Sequence, residues 1–194
     1  MSSISLSPVE DILSSIRQGK MVILVDNDAS SSSAGVVVVA AEHVDASDVN
    51  FMARQARGLI CLTLSKQRCA QLGLVNMVPG GSDHKPNFTI SIEAAKGIDT
   101  GISAADRALT IRTAVDPLAT QEDIVQPGHV FPLMVASGGV LIRAGLTEAA
   151  SDYVCLSGLA PAAVIADVLT SEGDLAGAKS LDEFASKHDL LIGS

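Results

Sequence analysis

Four stretches of this chain set chemically capable side chains beside glycines: Gly58–Leu62, Gly101–Thr110, Gln126–Leu133 and Gly138–Ala149. His129, between Gly128 and Val130, is suited to general acid–base catalysis because imidazole titrates near neutral pH; the alternative is a hydrogen-bonded core histidine. Arg143 stands just before Thr147, where a helix is expected to begin. A helix amino end with a neighbouring guanidinium binds phosphate or carboxylate through free N–H groups and the helix dipole. Thr147 is otherwise a plain cap, and Glu148 favours the helix start. Asp106 and Arg107 are either substrate-side groups or a cap and clamp on the helix that Ser103 opens. Cys61 lies in an apolar strand, where an inert packed thiol is the default. Arg57 or Lys85 would activate it by pointing inward.

These residues need a frame. Ser7-Pro8-Val9-Glu10 predicts a capped helix with an apolar face at Val9, Ile12, Leu13 and Ile16, stopped by Gly19. Strands are expected at 21–25, 36–41, 59–64, 88–93, 130–134, 140–143 and 162–169, with a last short one at 190–192. Further helices are expected from Ser47 to Arg57, Ser65 to Leu72, Ser103 to Thr113, Thr147 to Leu156 and Ser180 to His188. The order alternates too loosely for a pure βα repeat. It predicts one α+β domain over residues 1–194, an α/β-type sandwich with a mixed central sheet flanked by helices.

Composition agrees. Apolar residues make up 47% of the 194 and aromatics 3%, so the core must be Val, Ile, Leu and Ala. A net charge of −9 with scattered Lys and Arg argues against nucleic acid or anionic membrane as partner. No apolar run reaches the roughly 18–20 residues of a membrane span, and Met1–Ser7 does not read as a secretory signal. Cys61, Cys69 and Cys155 cannot all pair and lack zinc-site spacing, so reduced thiols in the cytoplasm are expected.

Ile102 to Arg112 and Pro127 to Leu133, together with the other two segments, resemble the 3,4-dihydroxy-2-butanone 4-phosphate synthase family of riboflavin synthesis, over nearly the whole chain. The resemblance implies an α+β fold and a homodimer with active sites near the subunit contact. It implies conversion of ribulose 5-phosphate with loss of formate, helped by a divalent metal. It also implies that His129, Cys61, Asp106 and Asp167 are catalytic positions. Arg143, Thr147, Arg107, Thr110 and Glu148 match the substrate side.

The sequence departs from the family where the metal binds. An acidic loop of the form Asp-Arg-Glu-Asn-Glu-Gly-Asp is replaced by Ala29-Ser30-Ser31-Ser32-Ser33-Ala34-Gly35-Val36, leaving Asp26 and Asp28. The expected metal-binding histidine is Leu146, and Asp167 stands for a glutamate. Hydroxyls are weak ligands for Mg²⁺, which prefers charged oxygen. The expectation is therefore a repurposed, metal-independent enzyme acting on a small, anionic molecule, with no cofactor and with Mg-dependent activity in doubt. Lys85 or Arg57 would supply positive charge at the metal position. The alternatives are the ordinary synthase and a non-catalytic ligand-binding or regulatory relative.

Overall fold

The computed structural model describes residues 4–26, 34–78 and 87–194. Seven strands form one sheet: β1 (Val22–Val25), β2 (Gly35–Ala40), β3 (Cys61–Leu64), β4 (Ile92–Ala94), β5 (Ile124–Met134), β6 (Ala163–Asp167) and β7 (Leu191–Gly193). Their order is β4-β5-β3-β6-β2-β1-β7. The pairs β1–β7 and β3–β5 are parallel and the rest antiparallel, so the sheet is mixed, as expected. The central strands are buried on both faces, which is why they read as unbroken runs of Val, Ile and Leu rather than as alternation.

Six helices cover the two faces: α1 (Val9–Arg17), α2 (Ala46–Phe51), α3 (Lys66–Gln71), α4 (Ala104–Val115), α5 (Leu146–Leu156) and α6 (Ala178–His188). One core joins Val49, Cys69, Ile111 and Leu181, from α2, α3, α4 and α6, to one side of the sheet. The other joins Ile12 and Ile16 of α1 to Ala150 and Val154 of α5 on the opposite side. This second face carries the largest cavity described below.

Local chemistry sets the joints. Asp45, not Ser47, caps α2: its carboxylate accepts from the N–H groups of Ser47 and Asp48, and Asp48 answers the Asp45 N–H. A carboxylate two residues earlier accepts both orphan N–H groups, so the serine is left as a donor. After α2 the chain widens into a π-turn (Met52–Ala56) that ends on Arg57 in the left-handed region. Arg68 of α3 donates to the carbonyls of Ala114, Asp116 and Ala119 and so ties down the exit of α4. The predicted box at Ser7 does not form: Pro8 occupies the cap position with no side-chain bond. Helix α6 starts at Ala178, ahead of Ser180.

Three strand expectations change. The strand expected at 88–93 is confined to Ile92–Ala94, with isolated bridges at Phe88 and Thr89. Strand β5 begins at Ile124 rather than Val130, because β4 pairs with its first half. Residues 140–143 are not a strand. They leave a 3-10 turn (Gly139–Leu141) opened by two left-handed glycines, Gly138 and Gly139.

Candidate active site

A cavity of about 690 Å³ opens on the α1/α5 face, where strands β1, β2, β3 and β6 meet the start of α5. Its positive end is built by α5. Gly145 is the cap residue and makes no side-chain cap bond, so backbone N–H groups of the first turn remain available to a ligand. Arg143 lines the same wall and pairs with Glu148 at 2.5 Å. Glu148 is 1% exposed. Its Oε1 also accepts from the Ala136 N–H at 3.0 Å, while Oε2 is buried without a hydrogen-bond partner.

The other walls carry Asp26 at the end of β1, Cys61 at the start of β3 and Asp167 at the end of β6. Burial pushes the Cys61 thiol up to about 12, and the charge of Asp167 pushes the same way. Cys61 therefore stays protonated at neutral pH: in this protein it is a thiol donor in the cavity wall, not a thiolate nucleophile. Burial by the surrounding walls also raises the Asp167 carboxyl above the usual carboxylate value. Gly58 lets β3 approach β6 here: a Cβ on it would stand 2.3 Å from the Asp167 carbonyl oxygen.

Of the positions singled out in the sequence, Cys61, Arg143, Thr147, Glu148 and Asp167 share this cavity, and Leu146 lines it too. His129, Asp106, Arg107 and Thr110 do not line it. Asp106 accepts from the Gly101 N–H at 3.0 Å and Thr110 from the Ala94 N–H at 3.0 Å, so both hold backbone. Arg107 Nε is buried without a partner. Arg57 donates to the Leu169 carbonyl and lines a separate cavity of about 310 Å³ beside α6. Lys85, Asp28 and the serines at 30–33 lie outside the described residues.

His129 sits on β5 before Phe131, whose ladder partner is Cys61. Phe131 and Leu133 turn to the cavity-bearing face, while Val130 and Met134 turn to the other. His129 itself lies on the stretch 126–129 that leaves the β4 ladder, and its side chain is 44% exposed. Its Nδ1 is hydrogen-bonded to Glu93 of β4. Sequence reasoning missed Glu93. Its signal was faint: one acidic residue at the end of an apolar alternation, 36 positions from its partner.

Whether this cavity suits magnesium is a question of donor chemistry. Among the described residues no group of three or more His, Cys, Asp or Glu could hold a metal ion. Yet Asp26, Glu148 and Asp167 all line one wall system, and Glu148 Oε2 is a buried acceptor with no protein partner. Mg²⁺ takes one or two carboxylates and fills the rest of its shell with water and substrate oxygen. The donors fit an ion bound in that way.

Fold and cavity together define an α+β protein with a cavity between a helix start and a set of carboxylates. The chain belongs to the 3,4-dihydroxy-2-butanone 4-phosphate synthase family, whose model matches residues 10–194. It is 51% identical over 187 residues to the 3,4-dihydroxy-2-butanone 4-phosphate synthase of Pseudomonas syringae pv. tomato, covering 96% of this chain and 50% of that protein. A crystal structure of a two-domain synthase from A. baumannii superposes with TM-score 0.90 at 50% identity, over 96% of this chain and 55% of that one. A synthase in complex with two magnesium ions superposes with TM-score 0.89 at 32% identity, over 96% and 92%. The chain spans about half the length of the curated relatives it matches.

These similarities overturn the expectation of a repurposed, metal-independent enzyme and the doubt about Mg-dependent activity. Identity near one half over nearly the whole chain, on the backbone of a magnesium-bearing synthase, favours the ordinary synthase. The expectation rested on ligands missing from the serine-rich segment and at Leu146. An ion that keeps most of its water needs few of them, and three carboxylates reach the cavity from other elements.

Proposed function

We propose that this chain is a 3,4-dihydroxy-2-butanone 4-phosphate synthase, converting ribulose 5-phosphate to the four-carbon ketose phosphate and formate. The observation that carries the reading is the polarity of the cavity. An anion-ready helix start with Arg143 stands at one end, and Asp26 and Asp167 stand in the same enclosure. A sugar phosphate has the matching polarity: a dianion on one end and adjacent oxygens on the rest.

The phosphate is held by the first-turn N–H groups of α5 and by Arg143, which fixes the sugar's direction. Asp167, its carboxyl raised by burial, is the better-matched base of the cavity for a carbon-bound or hydroxyl proton. The Cys61 thiol, kept protonated, donates toward substrate oxygen. Asp26 and Glu148 Oε2 are the groups that would hold Mg²⁺, which would lower the cost of negative charge on neighbouring substrate oxygens. His129, on the exposed stretch of β5 before Val130, serves proton transfer.

The reading includes a homodimer in the cytoplasm. Leu59 and Ile142 line the cavity yet are strongly exposed, next to Leu141, and such an apolar rim is suited to cover by a second copy. The three described cysteines are unpaired, as befits a reducing compartment. The test is direct: purified protein with ribulose 5-phosphate and Mg²⁺ should release formate, and chelation by EDTA should stop it. Folded protein that binds the sugar phosphate but releases no formate sinks the proposal.

A further inference from the structure

The two most family-specific motifs of the sequence, 101–110 and 127–133, converge in space on a residue that neither contains. That residue is Glu93. The β4–β5 ladder jumps from Ile92↔Val130 to Glu93↔Val125, so residues 126–129 arch out of register across the end of β4. Gly128 lies where that arch crosses: a Cβ there would stand 2.2 Å from the Ile92 carbonyl and 2.4 Å from Glu93 Cγ. The Gly128 N–H donates to Ser91 Oγ at 3.1 Å, pinning the arch. On the other side Gly101 has φ +78°, and a Cβ there would meet Glu93 Oε1 at 1.9 Å. The Gly101 N–H is fixed by Asp106, whose own N–H is capped by Ser103. The Glu93 carboxylate is thus wedged between two glycines and its side chain is 15% exposed, against 44% for His129.

We propose that Glu93 is the positioning residue for His129. An ionised carboxylate only accepts hydrogen bonds, so its contact with Nδ1 requires the proton on that nitrogen. In neutral His129 the lone pair then lies on Nε2, on the open side of the ring, where substrate can present a proton. When Nε2 takes that proton, Nδ1 keeps its own, and the carboxylate stabilises the imidazolium that forms. Glu93 touches no substrate; it sets which nitrogen is the base and where it points. In this account the motif glycines and Asp106 shape the niche that holds Glu93 without lining the cavity.

This inference rests on the synthase reading for what His129 does, and its test separates the two. Protein labelled with ¹⁵N-histidine reports the tautomer of His129 by long-range ¹H–¹⁵N correlation, assigned against His129→Gln. Wild type should show a protonated Nδ1 and an unprotonated Nε2 above the histidine titration. Glu93→Ala should lose that preference, and kcat for formate release should drop about 100-fold with KM changed less than about threefold. Glu93→Gln, which keeps an acceptor without the charge, should retain the tautomer and recover part of kcat. Should Glu93→Ala fail to fold, the wild-type and Glu93→Gln spectra still decide. Nε2–H in the wild type overturns the proposal, as does an unchanged tautomer or unchanged kcat in folded Glu93→Ala. A tautomer switch in a protein that releases no formate supports the positioning role while removing the synthase reading.

Discussion

Cys61 and Cys155 carry the same thiol into opposite surroundings, and their reactivities should differ accordingly. Cys155 is exposed on α5, whereas Cys61 is buried and its thiol is pushed from the ordinary 9.0 up to about 12. Iodoacetamide at pH 8 should modify Cys155 within minutes and leave Cys61 intact until urea unfolds the chain; peptide mass mapping reads the order. Fast alkylation of Cys61 in the folded protein would refute a protonated, desolvated thiol. The same displacement acts on stability. The folded value lies above the unfolded one, so the contribution of Cys61 is full below about pH 9 and is lost as pH climbs toward 12. What was legible at this scale depended on locality. The Ser103 cap and the Asp106 placement are readable from neighbours in sequence, and the structure has both. Glu93 was not readable, because its partner is brought by strand pairing across 36 positions. The backbone bonds of Asp106 and Thr110 were not readable either, because only the fold brings Gly101 and Ala94 near them.

Among the elements, the pairing of β3 with β6 decides whether the cavity exists, and Gly58 is where that pairing is most exposed to a single atom. A methyl on Gly58 would meet only backbone: the oxygen, nitrogen and Cα of Asp167 at 2.3, 2.6 and 2.9 Å. No side-chain rotation relieves such a clash, so strand separation is the remaining response. Gly58→Ala should cost about 3 kcal/mol, read as a lower urea midpoint. Gly177→Ala, with nothing within 4 Å of the added atom, should cost less than about 1 kcal/mol. Equal midpoints for the two variants would mean that the β3–β6 approach is looser than described. The same logic explains which elements sequence could and could not give. Runs such as Val36–Val39 become central strands wherever both faces are covered, and they do. Residues 140–143 also carry β-branched side chains, but they follow two left-handed glycines and turn into a 3-10 helix. Strand pairing is settled by what lies alongside, which periodicity does not record.

At the scale of the whole molecule, a net charge of −9 should repel an anionic substrate. The fold answers by gathering its positive features, Arg143 and the α5 start, at one end of one cavity. Two apolar residues that line the cavity are exposed, Ile142 at 70% and Leu59 at 48%, and Leu141, beside Ile142 in the chain, is 91% exposed. Burying a Leu or Ile side chain contributes roughly 1.5–3 kcal/mol, so these residues favour a covering surface, and a second copy is the partner proposed above. Light scattering after gel filtration should give twice the chain mass of 19.9 kDa. Replacing Leu141 and Ile142 together by Glu should shift the mass to that of one chain, because two carboxylates cannot be buried unpaired. Formate release should fall with it, since an uncovered mouth admits water and lowers the strength of every polar contact inside. A wild-type protein that runs as a monomer at micromolar concentration while releasing formate at full rate would show that the apolar rim is covered by substrate or not at all.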